Sequence, residues 1–494
     1  MAADVEAPSS GSVTLLLGID EGTSAVKAVL YDGDLQTVAE ARREKPLSHP
    51  RPGWVEQDAQ AVLAAVVEAV AAVLDQAPGE IDACGLDHQG ESVLAWDAES
   101  GMPLSPVVTW QDKRSQEILD RLEAAGHGEE IRQRSGMPLD PYFSAGKIAW
   151  LLEHNRAVAK AQAQATLRIG TVDSFLCDRL GAGFATDPST ASRTQLGAPD
   201  WDPKLLELFG VPVGILPAIL DTAGDLGTLR HPSWKAELPL RARCVDQQAA
   251  LAGAGCVRPG LVKATYGTGV FVLAHAGDDR PEPGGGLLPT IAWRVGGQLE
   301  WAIDGGVFTA GALLEWLSRD MGLATDPAAL AAVAAEVEHA GGVRVLPALA
   351  GVGAPWWKPE ARAVIAGLTA GSRPANVARA ALEAIAWRVA DVVEVVRRSV
   401  PVDVLRVDGG LTRDRTLLQL QADFAGVTVQ RGAVDATAAG AAALGAVGAG
   451  VWPSTRDIGE RVRAGDTVEP QRDDRWRTAA HAEWRAFVER AAAL

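Results

Sequence analysis

Hydrophobic and polar positions alternate along this chain in two recurring ways. Leu15-Leu16-Leu17-Gly18-Ile19-Asp20 is a short apolar run that ends in an acid. Glu21-Gly22-Thr23-Ser24 turns it, and Ala25 to Asp32 runs back, which predicts strand, glycine-containing turn, strand. The second half repeats the plan with Leu261 to Tyr266, the turn Gly267-Thr268-Gly269, and Val270 to Leu273. Longer stretches carry the helical period: Ala59 to Asp75, with Asp58 as N-cap, and Ala375 to Val396. Ile81 to Leu86 and Val343 to Pro347 read as further strands, so strands alternate with helices and the class is α/β. Glycine and proline thin the pattern at Gly253 to Pro259, which places a domain boundary there and gives halves of 12–255 and 256–494. Arg280 to Gly286 reads as an exposed loop and residues 1–11 as a disordered tail. The run from Ala436 to Val451 is long and apolar, but alanine and glycine dominate it. A tightly packed helix suits it better than a membrane span, which needs about 20 strongly apolar residues.

Composition narrows the function. A chain of 494 residues, 47% hydrophobic and 22% charged, has ample core for two or three domains. A net charge of −17 argues against a broad nucleic-acid or anionic-membrane surface, yet leaves room for a phosphate ligand held by backbone amides. Cys84, Cys177, Cys244 and Cys256 are widely spaced, which reads as free thiols in a reducing compartment, hence cytoplasmic, without structural zinc. The N-terminus holds Asp4 and Glu6 and no apolar core, so it is not a secretory signal.

The chemistry concentrates in Arg243-Cys244-Val245-Asp246-Gln247-Gln248-Ala249-Ala250-Leu251. A carboxylate at a strand end can take a proton, and a nearby Gly-Thr-Gly turn can hold phosphate oxygens on its amides. Asp246 also suits a helix N-cap, and the two roles are compatible. The pairing of a base with two phosphate-type hairpins is the equipment of a small-molecule kinase. Asp20, at the end of the first strand, is a candidate to help hold Mg²⁺ on the phosphates, because magnesium keeps waters and needs only one or two carboxylates.

An ordered series of motifs from Leu15 to about Trp452 carries a resemblance. They are Gly53 to Asp58, Val108-Thr109-Trp110-Gln111-Asp112-Lys113-Arg114, Asp140 to Ala145, Gly170 to Asp173, Ala191-Ser192-Arg193-Thr194, the Asp246 segment, Gly351 to Arg362, and Leu405 to Gly410. In these the chain resembles the FGGY carbohydrate kinases, and within them the glycerol kinases. The resemblance implies a two-lobed, actin-like (ribonuclease-H-like) fold with ATP and a small polyol or sugar in the interlobe cleft, and no nucleic-acid or membrane partner. Assembly as a homodimer or homotetramer is a family-level expectation that no motif here specifies.

The same resemblance assigns roles. Asp246 is the general base, and Glu91, Trp110, Tyr142, Gln247 and Phe271 join it in the polyol pocket. Gly22, Thr23, Ser24 and Lys27 meet the phosphates, as do Gly267 and Thr268. Gly311 and Gly410 lie where backbone approaches the nucleotide, with Glu315 and Asp414 near adenine. Departures from the family pattern are informative. Lys27 stands for Arg, Glu315 for Gln and Asp414 for Asn, while Glu21 puts an acid beside the phosphate turn and Ala363 replaces a Gly. The largest lies in Asp87-His88-Gln89-Gly90-Glu91, where glycerol kinases carry Arg and this chain has Gly90. Losing a charged hydrogen bond is worth roughly 1.5–3 kcal/mol, or about 10- to 100-fold in affinity. Either another donor such as His88 fills in for glycerol, or the space admits a longer polyol or a ketose, as in the xylulokinases. A non-catalytic family member is a third reading.

Overall fold

A computed structural model describes residues 14–494, apart from 283, 359, 433, 434 and 464. The expected tail, 1–11, lies outside the described residues, as does position 283 of the expected 280–286 loop.

Two sheets organise the chain. The first runs in the order Thr228–Leu229, Leu238–Val245, Ala83–His88, Leu15–Glu21, Ala25–Asp32, Thr37–Glu44. The second runs Leu288–Val295, Gln298–Val307, Val270–Gly277, Gly260–Tyr266, Val402–Asp408, Thr428–Arg431, Thr467–Val468. Each contains an antiparallel hairpin, Leu15–Glu21 with Ala25–Asp32 and Gly260–Tyr266 with Val270–Gly277, flanked by two further strands parallel to its first. This is the mixed α/β, two-lobed, ribonuclease-H-like plan.

The near-continuous apolar reading of the first strand has a physical cause. Both faces of the sheet are covered, so neither face of a central strand can be polar. Leu15, Leu17 and Ile19 pack in the cluster that holds Val62, Val66 and Val70 of the helix Ala59–Leu74. Leu16 faces the other cluster, with Ala438, Ala441 and Ala442 of the helix Ala436–Gly448. The carboxylate of Asp58 starts the first helix, accepting from the amides of Gln60 at 2.8 Å and Ala61 at 3.4 Å. The Ala/Gly-rich run forms the second helix, and its composition follows from how close it lies. A Cβ at Gly85 would stand 1.9 Å from Ala441 O, and one at Gly440 1.7 Å from Ala249 O. Any larger residue would lift the helix off both the sheet and the helix Asp246–Gly253.

Register sets the site. In the first sheet the strands Leu15–Glu21, Ala83–His88 and Leu238–Val245 are mutually parallel, with Glu21 opposite His88 and Val245 opposite His88. Their carboxyl ends therefore share one edge. Asp20 and Asp87 are cross-strand partners there, and Asp246 is the next residue after the third strand. Ligands of open α/β sheets bind at such carboxyl edges.

Candidate active site

Asp246 opens the helix Asp246–Gly253. The cap position falls on Val245, so the expected N-cap role for Asp246 is corrected by one residue. The side chain of Asp246 is the first inside the helix, and its Oδ1 accepts from the Gln247 amide at 2.7 Å. That bond fixes the rotamer of the carboxylate. Burial pushes its pKa up to about 7, helped by the negative charges of Glu91 and Asp20 and opposed by Lys263 and the Gln247 amide. The buried Lys263, which donates to Gln247 Oε1 at 2.9 Å, is a cation of this site that the sequence reading missed.

Around Asp246 the expected polyol residues converge. Trp110 and Tyr142 meet edge to face, ring centroids 5.6 Å apart. Burial, with Glu91 nearby, pushes the Tyr142 phenol well up. Tyr142 and Phe271 line a cavity of about 100 Å³ together with Phe143, Arg193, Asp304 and Phe308. Glu91 is buried and does not line that cavity itself; it reaches it through Arg193.

Arg193 also went unassigned in the sequence. It ends the helix Pro188–Arg193, donates from Nε to Glu91 Oε1 at 2.7 Å, and from Nη1 to Asp304 Oδ2 at 2.9 Å. Glu91 belongs to the first lobe and Asp304 to the strand Gln298–Val307 of the second sheet, so one guanidinium ties both walls of the pocket together. The available signal was the Ala191-Ser192-Arg193-Thr194 stretch, which names a motif without saying where its arginine points.

His88 does not supply the donor missing at Gly90. It is fully buried, with Nε2 2.9 Å from Thr190 Oγ1 and 3.5 Å from Asp173 Oδ1, so it is a core histidine. Nor does Gly90 simply open space. A Cβ built there would stand 2.9 Å from Val245 Cγ1, so the valine beside the base fills the root of the missing side chain.

On the nucleotide side, the turn after Leu15–Glu21 places Gly22, Thr23 and Ser24 at the cleft. A Cβ at Gly22 would approach Asp20 Oδ1 to 3.4 Å, which puts that carboxylate directly over the turn. The acid of Glu21, expected beside the phosphates, is turned into the interior. It is fully buried against Lys45, whose pKa falls to about 7 chiefly because it is buried, and it accepts from Gln89 Nε2 at 3.0 Å. Gln89 also donates to Gln57 Oε1 (2.8 Å), and Gln57 donates to the Thr23 carbonyl (2.7 Å). Trp110 Nε1 donates to Thr23 Oγ1 at 3.0 Å, so Trp110 and the turn Gly22-Thr23-Ser24 are braced against each other. The Lys27 ammonium is held by Asp435 at 2.6 Å and Glu40 at 3.1 Å, which directs it to carboxylates rather than leaving it free for phosphate.

Gly267, Thr268, Gly311, Glu315 and Gly410 line one cavity of about 510 Å³, with Tyr266, Trp316 and Leu411. Gly410 borders open space, whereas a Cβ at Gly311 would stand 2.5 Å from Gly267 O. Gly311 is therefore small because the helix start it begins is bonded to the hairpin (Gly311 N to Gly267 O, 3.0 Å), a closer constraint than the ligand contact expected for it. Glu315 pairs with Arg319 at 2.9 Å. Asp414 does not line the cavity; it caps the helix Arg415–Ala425 through Thr416 N at 2.8 Å.

The four cysteines are buried free thiols. Among the described residues no helix is long and apolar enough to cross a membrane, and no three His, Cys, Asp or Glu side chains cluster as a metal site.

Comparison with known proteins places the whole chain. The glycerol kinase of Citrifermentans bemidjiense is 40% identical over 486 residues, covering 96% of this chain and 98% of its own. That of Gloeobacter violaceus is 41% identical over 497 residues, covering 99% and 98%. The structure of Plasmodium falciparum glycerol kinase with ADP superposes with a TM-score of 0.92 at 28% identity, covering 97% of this chain and 98% of that one. A xyloylose kinase from Brucella ovis gives 0.84 at 27% identity, covering 95% and 96%. The profile of the FGGY family of carbohydrate kinases, N-terminal domain, matches residues 15–253, and that of its C-terminal domain matches residues 262–449. The chain belongs to the FGGY family of carbohydrate kinases.

Proposed function

We propose that this kinase transfers the γ-phosphoryl group of ATP to a hydroxyl of glycerol or a closely related small polyol, with Asp246 as general base. The observation that carries the reading is the position of Asp246. It is crowded by Glu91 on the polyol side and by Asp20 on the phosphate side, with its carboxylate fixed by its own helix start. Deprotonated, it takes the proton of a hydroxyl held by Glu91, Gln247 and the Trp110–Tyr142 wall, and the oxygen attacks phosphorus. Thr23 and Ser24 of one hairpin and Gly267 and Thr268 of the other receive the phosphates. The Asp20 carboxylate over Gly22 fits a Mg²⁺ carried by the nucleotide. When bound, that ion supplies charge neutralisation for the phosphoryl oxygens. The −17 net charge supports a small-molecule partner rather than a nucleic acid, and four buried free thiols support a cytoplasmic location.

ADP release measured across glycerol, tetritols, pentitols and ketoses tests the reading. Turnover is expected on glycerol or a near relative, and none on any of them would overturn it. The pH profile is a second check. A base must be ionised to act, so kcat/KM is expected to fall about tenfold per unit below pH 7 and to level off above it. A profile flat from pH 5 to 8 would remove Asp246 from the proton transfer.

A second reading, a longer polyol or a ketose, rests on Gly90 and on a pocket that continues past Phe271 to Phe308 and Trp357, both more than a third exposed. Gly90→Arg by itself is expected to cost stability, because its Cβ meets Val245. Paired with Val245→Gly, it should raise the glycerol-to-pentitol ratio of kcat/KM by about 10-fold or more, the worth of one charged hydrogen bond. An unchanged ratio in the folded pair would mean that this wall does not set the choice of alcohol.

A further inference from the structure

Asp87 is a charged side chain of the cleft that no step above uses. It stands at the carboxyl end of the strand Ala83–His88, opposite Asp20 on one side and Cys244 on the other. It is fully buried, and neither carboxylate oxygen has a hydrogen-bond donor. Asp20 is its cross-strand neighbour and the first charge to act on it, and Asp246 is the second. Three lysines border the region, bonded to Glu21 (Lys45), to Asp435 and Glu40 (Lys27) and to Gln247 (Lys263); the charges of Lys45 and Lys27 act on Asp20 and that of Lys263 on Asp246, and none acts on Asp87. A buried carboxylate without donor or counter-ion is strongly unfavourable, so this geometry calls for either a shared proton or a cation between Asp20 and Asp87.

We propose that Asp20 and Asp87 together hold the divalent cation that accompanies the nucleotide, Asp87 being a second protein ligand, directly or through water. The inference rests on the kinase reading and deepens it. The ligand chemistry favours a hard, oxygen-seeking ion of the magnesium class. His88 turns into the core towards Thr190, and the Cys244 thiol, which shares the face of the pair, is held protonated chiefly by burial and then by the surrounding carboxylates, so neither soft donor competes for the ion. Among the described residues no third His, Cys, Asp or Glu completes a protein-only site. Phosphate oxygens and water must therefore supply the remaining ligands, as they do where magnesium is bound by one or two carboxylates plus substrate phosphates. Cation binding should then depend on nucleotide, and both carboxylates should matter to it.

Mn²⁺, a paramagnetic stand-in for Mg²⁺, gives a readout other than turnover. Its free concentration, followed by electron paramagnetic resonance during titration of the full chain with ADP present, gives its affinity for the enzyme–ADP complex. Asp87→Asn keeps the shape, can donate to Asp20, and removes the charge. It is expected to weaken Mn²⁺ binding by about 10- to 100-fold, with the affinity for metal-free ADP unchanged by calorimetry and the melting temperature equal or higher. Asp87→Thr, which supplies a hydroxyl donor and no charge, should weaken Mn²⁺ similarly and serves if the Asn variant misfolds. Parent-like Mn²⁺ affinity in either folded variant would overturn the inference and assign the pair a shared proton. Failure of the parent itself to bind ADP would overturn the kinase reading and this inference together.

Discussion

Asp246→Asn is expected to lower kcat by about 10²- to 10⁴-fold, the usual contribution of a positioned general base, while the KM for the polyol changes little. The substitution is close to a pure chemical test. An asparagine oxygen can still accept from the Gln247 amide, which Asp246 Oδ1 does now at 2.7 Å, so the start of the helix Asp246–Gly253 is retained. The carboxylate is buried and crowded by Glu91 and Asp20, which Lys263 and the Gln247 amide oppose only in part, so removing its charge should leave the melting temperature unchanged or slightly raised. What the amide cannot do is receive a proton at neutral pH. Residual activity should come from alignment and phosphate binding, and it should lack the rise of kcat/KM through pH 7 that is expected of the parent. A variant with parental kcat and parental pH dependence would transfer the role of base to another group, with Glu91 the nearest candidate.

How much of this site the sequence discloses depends on how local each interaction is. The two hairpins were legible because apolar alternation, a glycine turn and a return strand are all written within a few residues of one another. The helix Ala59–Leu74 and its Asp58 cap were legible for the same reason. Asp246 was misplaced by one residue because the last strand residue, Val245, takes the cap position, and only backbone geometry decides that. Non-local partners were out of reach. Glu21 looks harmful beside phosphate in the sequence, and its partner Lys45, the residue just past the end of the strand Thr37–Glu44, is 24 positions away. The crowding of Gly90 by Val245 crosses two parallel strands and depends on register, since Val245 lies opposite His88. Arg193 was quoted as part of a motif, yet its two carboxylate partners lie about a hundred residues away in either direction. A single sequence says that an arginine is present and leaves open which charges it will meet.

That arginine carries the second large expectation. Arg193 is almost wholly buried, and both of its partners are acids on opposite lobes, Glu91 at 2.7 Å and Asp304 at 2.9 Å. The paired acids keep its pKa high in spite of burial. Its guanidinium also lies 5.7 Å from the rings of Tyr142 and Phe143. Arg193→Met keeps much of the volume but strands two carboxylates, and breaking a buried pair from one side costs about 3–5 kcal/mol. Part of that should appear as a lower melting temperature. The rest should appear as a kcat/KM for the polyol reduced by about 100-fold or more, mainly through KM, because Glu91, proposed above to hold substrate hydroxyls, loses the partner that positions it. Arg193→Lys restores charge without the fork that reaches both acids, so it should recover stability better than KM. The distinguishing arm is Asp304→Asn on the Arg193→Met background. Removing the second stranded charge should return stability and leave KM high, since the orientation of Glu91 is still lost. If the double variant regains parental KM, Arg193 serves only to neutralise Asp304. If Arg193→Met itself leaves both melting temperature and KM unchanged, the tie between the two lobes contributes nothing to this site.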